Sequence, residues 1–258
     1  MPNPSAVVFP RHERTEDRRR ERDHRKLLDE FFDHPTLVAV SRLITQGQFD
    51  AVDFPISTGK EGGVFRASGA GGLRAVKIYR VGNSVFKHLP PYALEELRRE
   101  SSERNYARLI FAWTRREHTM LRRLRAAEVR CPEPYGYLRN VLVMEFVGTE
   151  GLAAPRLKDA IVDDPERLRR DLEAQIGRMV RDAKLVHGDL SPYNVLLHEG
   201  TPVLIDVAQS VSVEHPQAAA LLRRDSDNFA RYLRRLGADV DDDSFYTAIG
   251  GRTLAAGA

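Results

Sequence analysis

Three side chains with oxygen donors stand at fixed spacing within VHGDLSPYNVLLHEGTPVLID, residues 186–206. Asn194 follows Asp189 by five residues, and Asp206 follows Asn194 by twelve. Because Mg²⁺ prefers oxygen ligands, the Asn194 amide and the Asp206 carboxylate can hold this ion while water and phosphate fill its other positions. A second carboxylate, such as that of Asp189, can then accept a hydroxyl proton or carry the phosphoryl group. The spacing predicts a site that holds a phosphorylated nucleotide and Mg²⁺ beside a nucleophile.

The pattern H-x-D-x-x-x-x-N, followed by a strand that ends in Asp, is the catalytic-loop pattern of protein-kinase-like folds. Its histidine, His187, is expected to hydrogen-bond nearby backbone rather than to transfer a proton. We therefore expect removal of Asp189 or Asp206 to reduce activity far more than removal of His187.

The segment STGKEGGVF, residues 57–65, places glycines and a lysine between two predicted strands. Glycine lets the backbone approach phosphate oxygens closely, and exposed N–H groups bind anions. The segment lacks the GxxxxGK[ST] pattern of a Walker A loop and departs from the G-x-G-x-x-G of most kinases. Taken alone, such a segment is more often a turn that carries a lysine. The candidate nucleotide-binding residues here are Ser57, Thr58, Gly59, Lys60, Glu61 and Val64.

A lysine and a glutamate are predicted to form an ion pair that orients phosphate. Lys77 lies among apolar residues of the predicted strand AVKIY, where it would reach the nucleotide phosphates. Glu117 falls on the apolar face of a long helix predicted at about 103–127, and a carboxylate there is costly unless it is paired. Pairing Glu117 with Lys77 accounts for both charges. The apolar positions that define this helix face are Tyr106, Ile110, Trp113, Met120 and Leu124.

The predicted strand VLVMEFV, residues 141–147, ends where an adenine base could bind. Main-chain N–H and C=O groups at a strand edge can pair with a base. Met144, Glu145 and Val147 are therefore candidate nucleotide contacts, whereas the side chains of Met144 and Phe146 are assigned to core packing.

The spacing of apolar residues predicts the elements that carry these groups. Helical spacing covers 27–49, strand-like runs begin at Phe54, and GAGG at 69–72 predicts a hairpin turn. The remaining predicted elements are a short helix near 93–99, a helix that starts at Asp164-Pro165, and a helix at 216–236 closed by Gly237.

The composition indicates a soluble globule without a membrane segment. Of the 258 residues, 42% are hydrophobic and 30% are charged. No apolar run approaches the ~20 residues that a helix needs to cross a bilayer, and the N-terminus lacks the layout of a signal peptide. The lone Cys131 cannot form an intramolecular disulfide, which fits a reducing cytoplasm.

Residues 11–26, RHERTEDRRRERDHRK, hold eight Arg or Lys and five Asp or Glu, so their charge of +3 equals the net charge of the whole chain. Two interpretations stay open for this segment: a solvated, partly helical tail, and an arm that touches RNA phosphates through arginine. No aromatic residue is interleaved, so base stacking is not indicated.

In its motifs and in their order along the sequence, the chain resembles the RIO family of atypical protein kinases, in particular the first subfamily. The motifs STGKE and IDVAQSV are the most specific, and the second stands where ordinary kinases have DFG. The second RIO subfamily carries an N-terminal winged helix, for which residues 1–50 look too short. The pieces that match, in family order from about residue 54 to 217, are STGKEGGVF, AVKIYR, WTRREHTMLRRL, CPEP, VLVMEFVG, LVHGDLSPYNVLL and VLIDVAQSVSVEHPQA.

This resemblance implies ATP with Mg²⁺ or Mn²⁺, serine autophosphorylation and a role in maturing the small ribosomal subunit, whose RNA and proteins would be partners. It also implies that Asp206 can form a phosphoaspartate and that ATP hydrolysis can matter more than substrate phosphorylation. Ser101 and Ser102 lie in the stretch that matches the family's flexible loop and are candidate autophosphorylation sites. A helix N-cap is an equal interpretation of these serines.

The implied fold is α+β: a trimmed bilobal protein-kinase-like fold with an antiparallel sheet and a long helix in the N-lobe and a small, mostly helical C-lobe. The expected boundaries are 1–26 for a basic tail, 27–53 for N-terminal helices, 54–147 for the N-lobe with a flexible loop at 81–105, 148–237 for the C-lobe, and 238–258 for a frayed C-terminus.

Two other functions stay open on the sequence. A small-molecule phosphotransferase of the aminoglycoside-kinase type shares HGDLSPYN, but such enzymes usually add a sizeable helical lobe after the metal aspartate, and only about 50 residues follow Asp206 here. An inactive kinase-like scaffold that binds ribosomal RNA or protein would be expected to have lost Lys77, Asp189 or Asp206, and all three are present. The sequence determines neither the substrate nor the oligomeric state.

Overall fold

The computed structural model describes residues 31–81, 89–100 and 105–252 of the chain, with side chains omitted at residues 99 and 100. The chain forms two compact units. The first consists of Met1–His118 with Pro134–Phe146, and the second of Thr119–Glu133 with Val147–Ala258. The tail and lobe boundaries expected from the sequence stay predictions, and the tail at 1–26 lies outside the described residues.

The first unit is built on an antiparallel sheet of five strands in the order β1-β2-β3-β5-β4. The turn between β2 and β3 falls at the GAGG segment, where the sequence predicted a hairpin. Strand β3 is hydrogen-bonded on both sides, to β2 and to β5, so the directions of its side chains are fixed. The strands are β1 Ala51–Thr58, β2 Gly62–Ser68, β3 Arg74–Tyr79, β4 Pro134–Leu138 and β5 Val141–Glu145.

Helix α1, His34–Thr45, contributes to the core of this unit. Asp33 caps the helix because its Oδ1 accepts a hydrogen bond of 2.9 Å from the Thr36 N–H. Burial of each large aliphatic or aromatic side chain contributes about 1.5–3 kcal/mol of transfer free energy. The buried residues that α1 and the sheet share in this core include Ala39, Val40, Leu43, Phe65, Val76 and Ile78.

Two further helices follow in the chain, α2 at Pro91–Glu100 and α3 at Tyr106–Ala126. Both lie where helical patterns were predicted. Of the apolar positions predicted for α3, four are buried, but Tyr106 is 50% exposed, so its assignment to the buried face is wrong. Because helical side chains lean toward the N-terminus, a side chain at the first residue of a helix has no preceding helical turn to cover it.

Helices supply most of the regular secondary structure of the second unit. Helix α4, Pro165–Arg181, begins where the sequence predicted, and the Asp164 carboxylate accepts the Arg167 N–H at 2.9 Å. Helix α5, Ala218–Leu236, ends at Gly237. The backbone of Gly237 has a φ of 96°, a left-handed conformation that glycine adopts without strain. The remaining strands of this unit form three short antiparallel pairs. These are β6 Gly148–Thr149 with β7 Leu152–Ala153, β8 Leu185–Val186 with β11 Val211–Ser212, and β9 Val195–His198 with β10 Thr201–Leu204.

The fraying predicted for 238–258 is wrong for the part of that segment that the structure describes. Asp242–Ala248 forms helix α6, and the side chains of Phe245 and Ile249 are fully buried. The carboxylate of Asp241 accepts the N–H groups of Asp243 and Ser244 at 3.0 and 2.8 Å. The acidic run therefore caps a helix and interacts favourably with the positive end of its dipole.

The two units together have the α+β composition that was predicted. Within the ranges that the structure describes, none of the helices combines the length and the apolar character that a membrane span requires.

Candidate active site

Lys77 and Glu117 form a buried ion pair in the first unit. Lys77 Nζ lies 2.7 Å from Glu117 Oε1, and the two side chains are 12% and 2% exposed. Strand alternation turns Lys77 away from the face on which Val76 and Ile78 are buried. Because two charges are costly to desolvate, this pair is better explained by a function than by a gain in stability. The structure brings both predicted side chains together, and their role toward phosphate stays a prediction.

Tyr79 is a third member of this cluster, which the sequence analysis missed. Its hydroxyl donates to Glu117 Oε2, and its ring centroid lies 5.0 Å from Lys77 Nζ. Burial raises the pKa of Tyr79 well above its usual value, and the neighbouring Glu117 charge adds to this effect. Tyr79 follows Lys77 by two residues on β3, so strand alternation alone would have placed it on the same face.

The candidate residues of STGKEGGVF gather on the hairpin that joins β1 to β2. Ser57 pairs with Val64 in the ladder, and the Gly59 N–H donates to the Gly62 carbonyl at 2.9 Å. A Cβ atom at Gly62 would lie 2.5 Å from the Ile78 carbonyl oxygen, so this position requires glycine. The tip is exposed at Thr58, Gly59, Lys60 and Glu61. Contact of this hairpin with a nucleotide stays a prediction.

The candidate adenine contacts lie at the end of β5. Met144 pairs with Ala75 on β3 and with Pro134 on β4, so it lies within the ladder, and β5 ends at Glu145. The Val147 carbonyl accepts the Ala154 N–H at 3.0 Å. Contact of this end of the strand with adenine stays a prediction.

In the second unit, Asp189 and Asn194 are in direct contact. Asn194 Nδ2 donates to the Asp189 carbonyl at 2.7 Å and to Asp189 Oδ2 at 3.1 Å. The Asn194 N–H donates to the Ser191 carbonyl at 2.9 Å, which closes a tight turn within the loop. With its amide nitrogen used in this way, Asn194 keeps Oδ1 as the atom that a cation would bind.

Asp206 follows β10 and lies close enough to Asp189 to interact electrostatically. The Ile205 N–H donates to the Asn194 carbonyl at 3.0 Å, which ties this segment to the loop. Asp206 has the left-handed backbone conformation, with φ 58° and ψ 45°, a strained region that is enriched at functional sites. Desolvation by surrounding atoms raises the pKa of Asp189, although the residue is exposed overall, and the Asp206 charge acts in the same direction.

The donor set of this unit fits a hard divalent cation. Asn194 and Asp206 offer an amide and a carboxylate oxygen, the donors that Mg²⁺ accepts. In the described part of the chain, no group of three or more His, Cys, Asp or Glu side chains is arranged to hold a metal. Nucleotide-bound Mg²⁺ usually takes several of its ligands from phosphate and water.

His187 is buried beneath this loop. Its Nε2 atom lies 3.0 Å from the Ile205 carbonyl oxygen, and burial lowers its pKa. A neutral imidazole that donates to backbone matches the structural role expected for it.

Asp225 on helix α5 is a second residue that the sequence analysis missed. It is 1% exposed and accepts the N–H groups of Gly188 and Leu190 at 2.9 and 3.1 Å. These two N–H groups flank Asp189, so a buried carboxylate fixes the backbone of the candidate base. Burial raises the pKa of Asp225 to about 7. An acid on the otherwise apolar face of a helix was the signal that could have revealed it.

A sheet with a buried lysine–glutamate pair and a loop that joins Asp189 to Asn194 ahead of Asp206 are the parts of a protein-kinase-like phosphotransferase. Residues 63–245 match the RIO domain family, and the chain belongs to this family of protein kinases. The RIO resemblance and the kinase activity class expected from the sequence are confirmed.

The curated relatives agree with this family. The chain is 42% identical to the RIO-type serine/threonine-protein kinase Rio1 of Haloferax volcanii, over 91% of this chain and 81% of that protein. It is 35% identical to Rio1 of Methanocaldococcus jannaschii, over 89% and 79% of the two chains. It is 38% identical to the human serine/threonine-protein kinase RIO1, over 82% of this chain but only 38% of the human protein.

The solved structures support the fold. The Rio2 kinase–ADP/Mg²⁺–phosphoaspartate complex from Chaetomium thermophilum matches with a TM-score of 0.63 and 22% identity, over 83% of this chain and 66% of that one. A second crystal structure of Rio2 kinase from the same organism matches with a TM-score of 0.64 and 23% identity, over 83% of this chain and 67% of that one. At this level of identity the likeness establishes the kinase-like fold, which confirms the predicted fold class.

Not every sequence-based candidate can be placed. Ser101 and Ser102, the candidate autophosphorylation sites, lie outside the described residues, as does part of the predicted loop at 81–105.

Proposed function

We propose that this chain transfers the γ-phosphoryl group of ATP to serine, including serine of its own chain, and to water. The observation that carries this proposal is the buried ion pair of 2.7 Å between Lys77 and Glu117. Replacing a buried ion pair with apolar residues is often neutral or stabilising. An inactive scaffold would therefore not need this buried lysine for its stability.

The predicted catalytic and metal-binding residues have defined roles in this proposal. Lys77, held by Glu117, contacts the nucleotide phosphates, and the β1–β2 hairpin covers them with backbone N–H groups. Asn194 and Asp206 hold Mg²⁺ or Mn²⁺, which would neutralise phosphate charge. Asp189 accepts the proton of the attacking hydroxyl group or water.

The reaction is a simple exchange of bonds. A bond forms between the nucleophile oxygen and the γ-phosphorus, the bond from that phosphorus to the β-γ bridging oxygen breaks, and ADP leaves. When the nucleophile is a hydroxyl group or water, its proton passes to Asp189. The Rio2 complex from Chaetomium thermophilum contains a phosphoaspartate, and for this chain we propose Asp206 as the residue that would carry the phosphoryl group in the same way. Hydrolysis of that acyl phosphate would then complete ATP hydrolysis.

The decisive experiment uses γ-³²P-ATP with the purified chain, followed by mapping of the label. A serine ester is expected to survive acid, whereas an acyl phosphate is expected to be released by hydroxylamine. Asp206→Ala should abolish Mg²⁺-dependent turnover, because removal of a metal ligand and acceptor carboxylate leaves the phosphate charge uncompensated.

The matched control is Asp163→Ala, since Asp163 is an exposed aspartate outside the site. This variant should retain the activity of the parent protein. ATP consumption at the parent rate by Asp206→Ala would refute the assignment. Repeating the assay with Mn²⁺ in place of Mg²⁺ tests the second cofactor that the family resemblance implies.

We further propose that the protein acts in the cytoplasm on the precursor of the small ribosomal subunit. Family membership supports this proposal, and the basic segment 11–26 provides a chemical means of contact with RNA phosphates.

A further inference from the structure

The side chain of Gln209 contacts Asp189, the candidate base, and the roles proposed for the other site residues do not explain this contact. Its Nε2 atom lies 3.4 Å from Asp189 Oδ2, the same oxygen that receives Asn194 Nδ2 at 3.1 Å. A carboxylate only accepts hydrogen bonds, so in both cases the amide nitrogen must face it. Among the described residues, no hydrogen-bond donor lies on the other carboxylate oxygen, Oδ1.

The position of Gln209 is fixed by backbone structure. Val211 on β11 pairs with Val186 on β8 in antiparallel register. Gln209 and Gly188, the residue before Asp189, each lie two residues beyond the last pair of this ladder. The ladder therefore holds the segment that carries Gln209 close to the loop that carries Asp189.

A short 3₁₀ turn, Val207–Gln209, supports the same placement. The side chains of Val207 and Ala208 are buried, and the Ser210 N–H closes the turn on the Val207 carbonyl at 3.1 Å. With two buried neighbours and a closed turn, the backbone of Gln209 has little freedom to move away from Asp189.

We propose that Gln209 is a positioning residue for the phosphoryl-transfer reaction: together with Asn194 it holds Oδ2 of Asp189, so that Oδ1 is the oxygen that accepts the nucleophile's proton. This inference rests on the proposed role of Asp189 as base. The Gln209 contact is long for an N–H···O bond. Hydrogen bonds of this kind are often long without substrate and shorten in the reactive complex. A base must lie within hydrogen-bond reach of one particular proton, so fixing its orientation raises kcat.

The test uses Gln209→Leu, which has a similar volume and no amide donor. Its kcat for ATP turnover should fall about tenfold, because positioning contributes only part of the ~10²–10⁴-fold effect of a general base. The KM for ATP, the nucleotide affinity measured by titration, and the melting temperature should stay as in the parent protein. Gln217→Ala, at an exposed glutamine, is the matched control and should change none of these quantities. A kcat of Gln209→Leu within twofold of the parent value would overturn the proposal.

A double-mutant cycle separates this role from a merely structural one. If Gln209 acts through Asp189, the Gln209→Leu substitution should have no further effect in an Asp189→Asn background. A full tenfold effect in that background would show that Gln209 acts elsewhere and would overturn the inference. A crystal structure of Gln209→Leu gives a readout independent of activity, because the Asp189 carboxylate should rotate away from its parent orientation. An unchanged carboxylate would count against the inference.

Failure of the proposed function would look different. In that case Asp189→Asn would keep the parent turnover, or the parent protein would show no turnover, whatever residue stands at position 209.

Discussion

Glu117 satisfies both of its carboxylate oxygens with different partners. Lys77 Nζ occupies Oε1 at 2.7 Å, and the Tyr79 hydroxyl occupies Oε2. Glu117 is buried and needs such partners, because an unpaired buried charge is strongly destabilising. Tyr79 and Lys77 therefore share the stabilisation of the Glu117 charge.

We expect Tyr79→Phe to lower the free energy of unfolding by about 1–3 kcal/mol, the usual effect of leaving a buried polar group without its partner. Without the tyrosine hydroxyl, the Glu117 charge would attract Lys77 more strongly and leave it less available to phosphate, so the KM for ATP should rise several-fold. Urea denaturation and steady-state kinetics measure the two effects.

The control for this substitution is Tyr135→Phe, which removes the hydroxyl of a tyrosine that is 39% exposed. It should change stability by less than about 0.5 kcal/mol, as is usual for surface substitutions. If Tyr79→Phe proved as stable as this control, the hydroxyl would have no role in holding Glu117.

At the scale of elements, helix α5 fixes the catalytic loop through one side chain. Asp225 accepts N–H groups on both sides of Asp189, and Arg224 on the same helix donates to the Gly188 carbonyl. The loop residues are therefore held by backbone contacts and need no regular secondary structure of their own. The position of the base depends on a helix that is distant in the chain, since Gly188 and Asp225 are separated by 37 positions.

Asp225 should also make stability depend on pH. Its pKa is about 7 in the folded chain, against an ordinary value of 3.8. Between about pH 4 and pH 7 the unfolded chain loses this proton while the folded chain keeps it, so the free energy of unfolding falls as pH rises. The contribution of this group is at most roughly 4 kcal/mol across that window.

Asp225→Asn removes this titration and leaves one loop N–H without an oxygen acceptor. The variant should be less stable than the parent at pH 4.5, and the difference should shrink as pH rises to 7.5. Urea denaturation at several pH values measures this difference, with Asp163→Asn at an exposed site as control. A difference between parent and Asp225→Asn that does not change with pH would contradict the raised pKa.

Local patterns predicted the elements well, whereas contacts between distant segments were harder to predict. The Lys77–Glu117 pair could be predicted because one residue followed from strand alternation and the other from helical phase. The same argument applied to Asp225, which lies on the buried face of α5 with Leu221, Leu222 and Phe229. Its partners could not be predicted, because they are backbone groups placed by the tertiary fold.

Helix α6 shows how composition can mislead. The acidic run DVDDD, residues 239–243, lies in the terminal segment for which fraying was expected, yet Asp241 caps the helix and the next acids lie in its first turn. Phe245 and Ile249, four residues apart, supply the buried contacts that stabilise it. Caps and apolar spacing were better guides to this segment than its charge density.

At the scale of the whole molecule, charge is distributed unevenly along the chain. Residues 11–26 carry +3, which equals the net charge of all 258 residues, so the remainder is about neutral. If this segment is an arm that touches RNA, attraction to a phosphate backbone should depend on it. That attraction should weaken as the salt concentration rises, because the release of counterions from RNA then contributes less free energy.

Removal of residues 1–26 should therefore weaken binding to single-stranded RNA from the small-subunit precursor. For a loss of three net contacts, the slope of log affinity against log salt should become shallower by about 2, since each contact to single strands contributes ~0.7. A full-length variant with Arg18, Arg19 and Arg20 replaced by glutamine keeps the length of the chain and should reproduce the change. ATP turnover should stay as in the parent protein, because no proposed site residue lies in this segment. If both variants kept the parent affinity and salt slope, the segment would be a solvated tail, and RNA contact would have to come from the folded units.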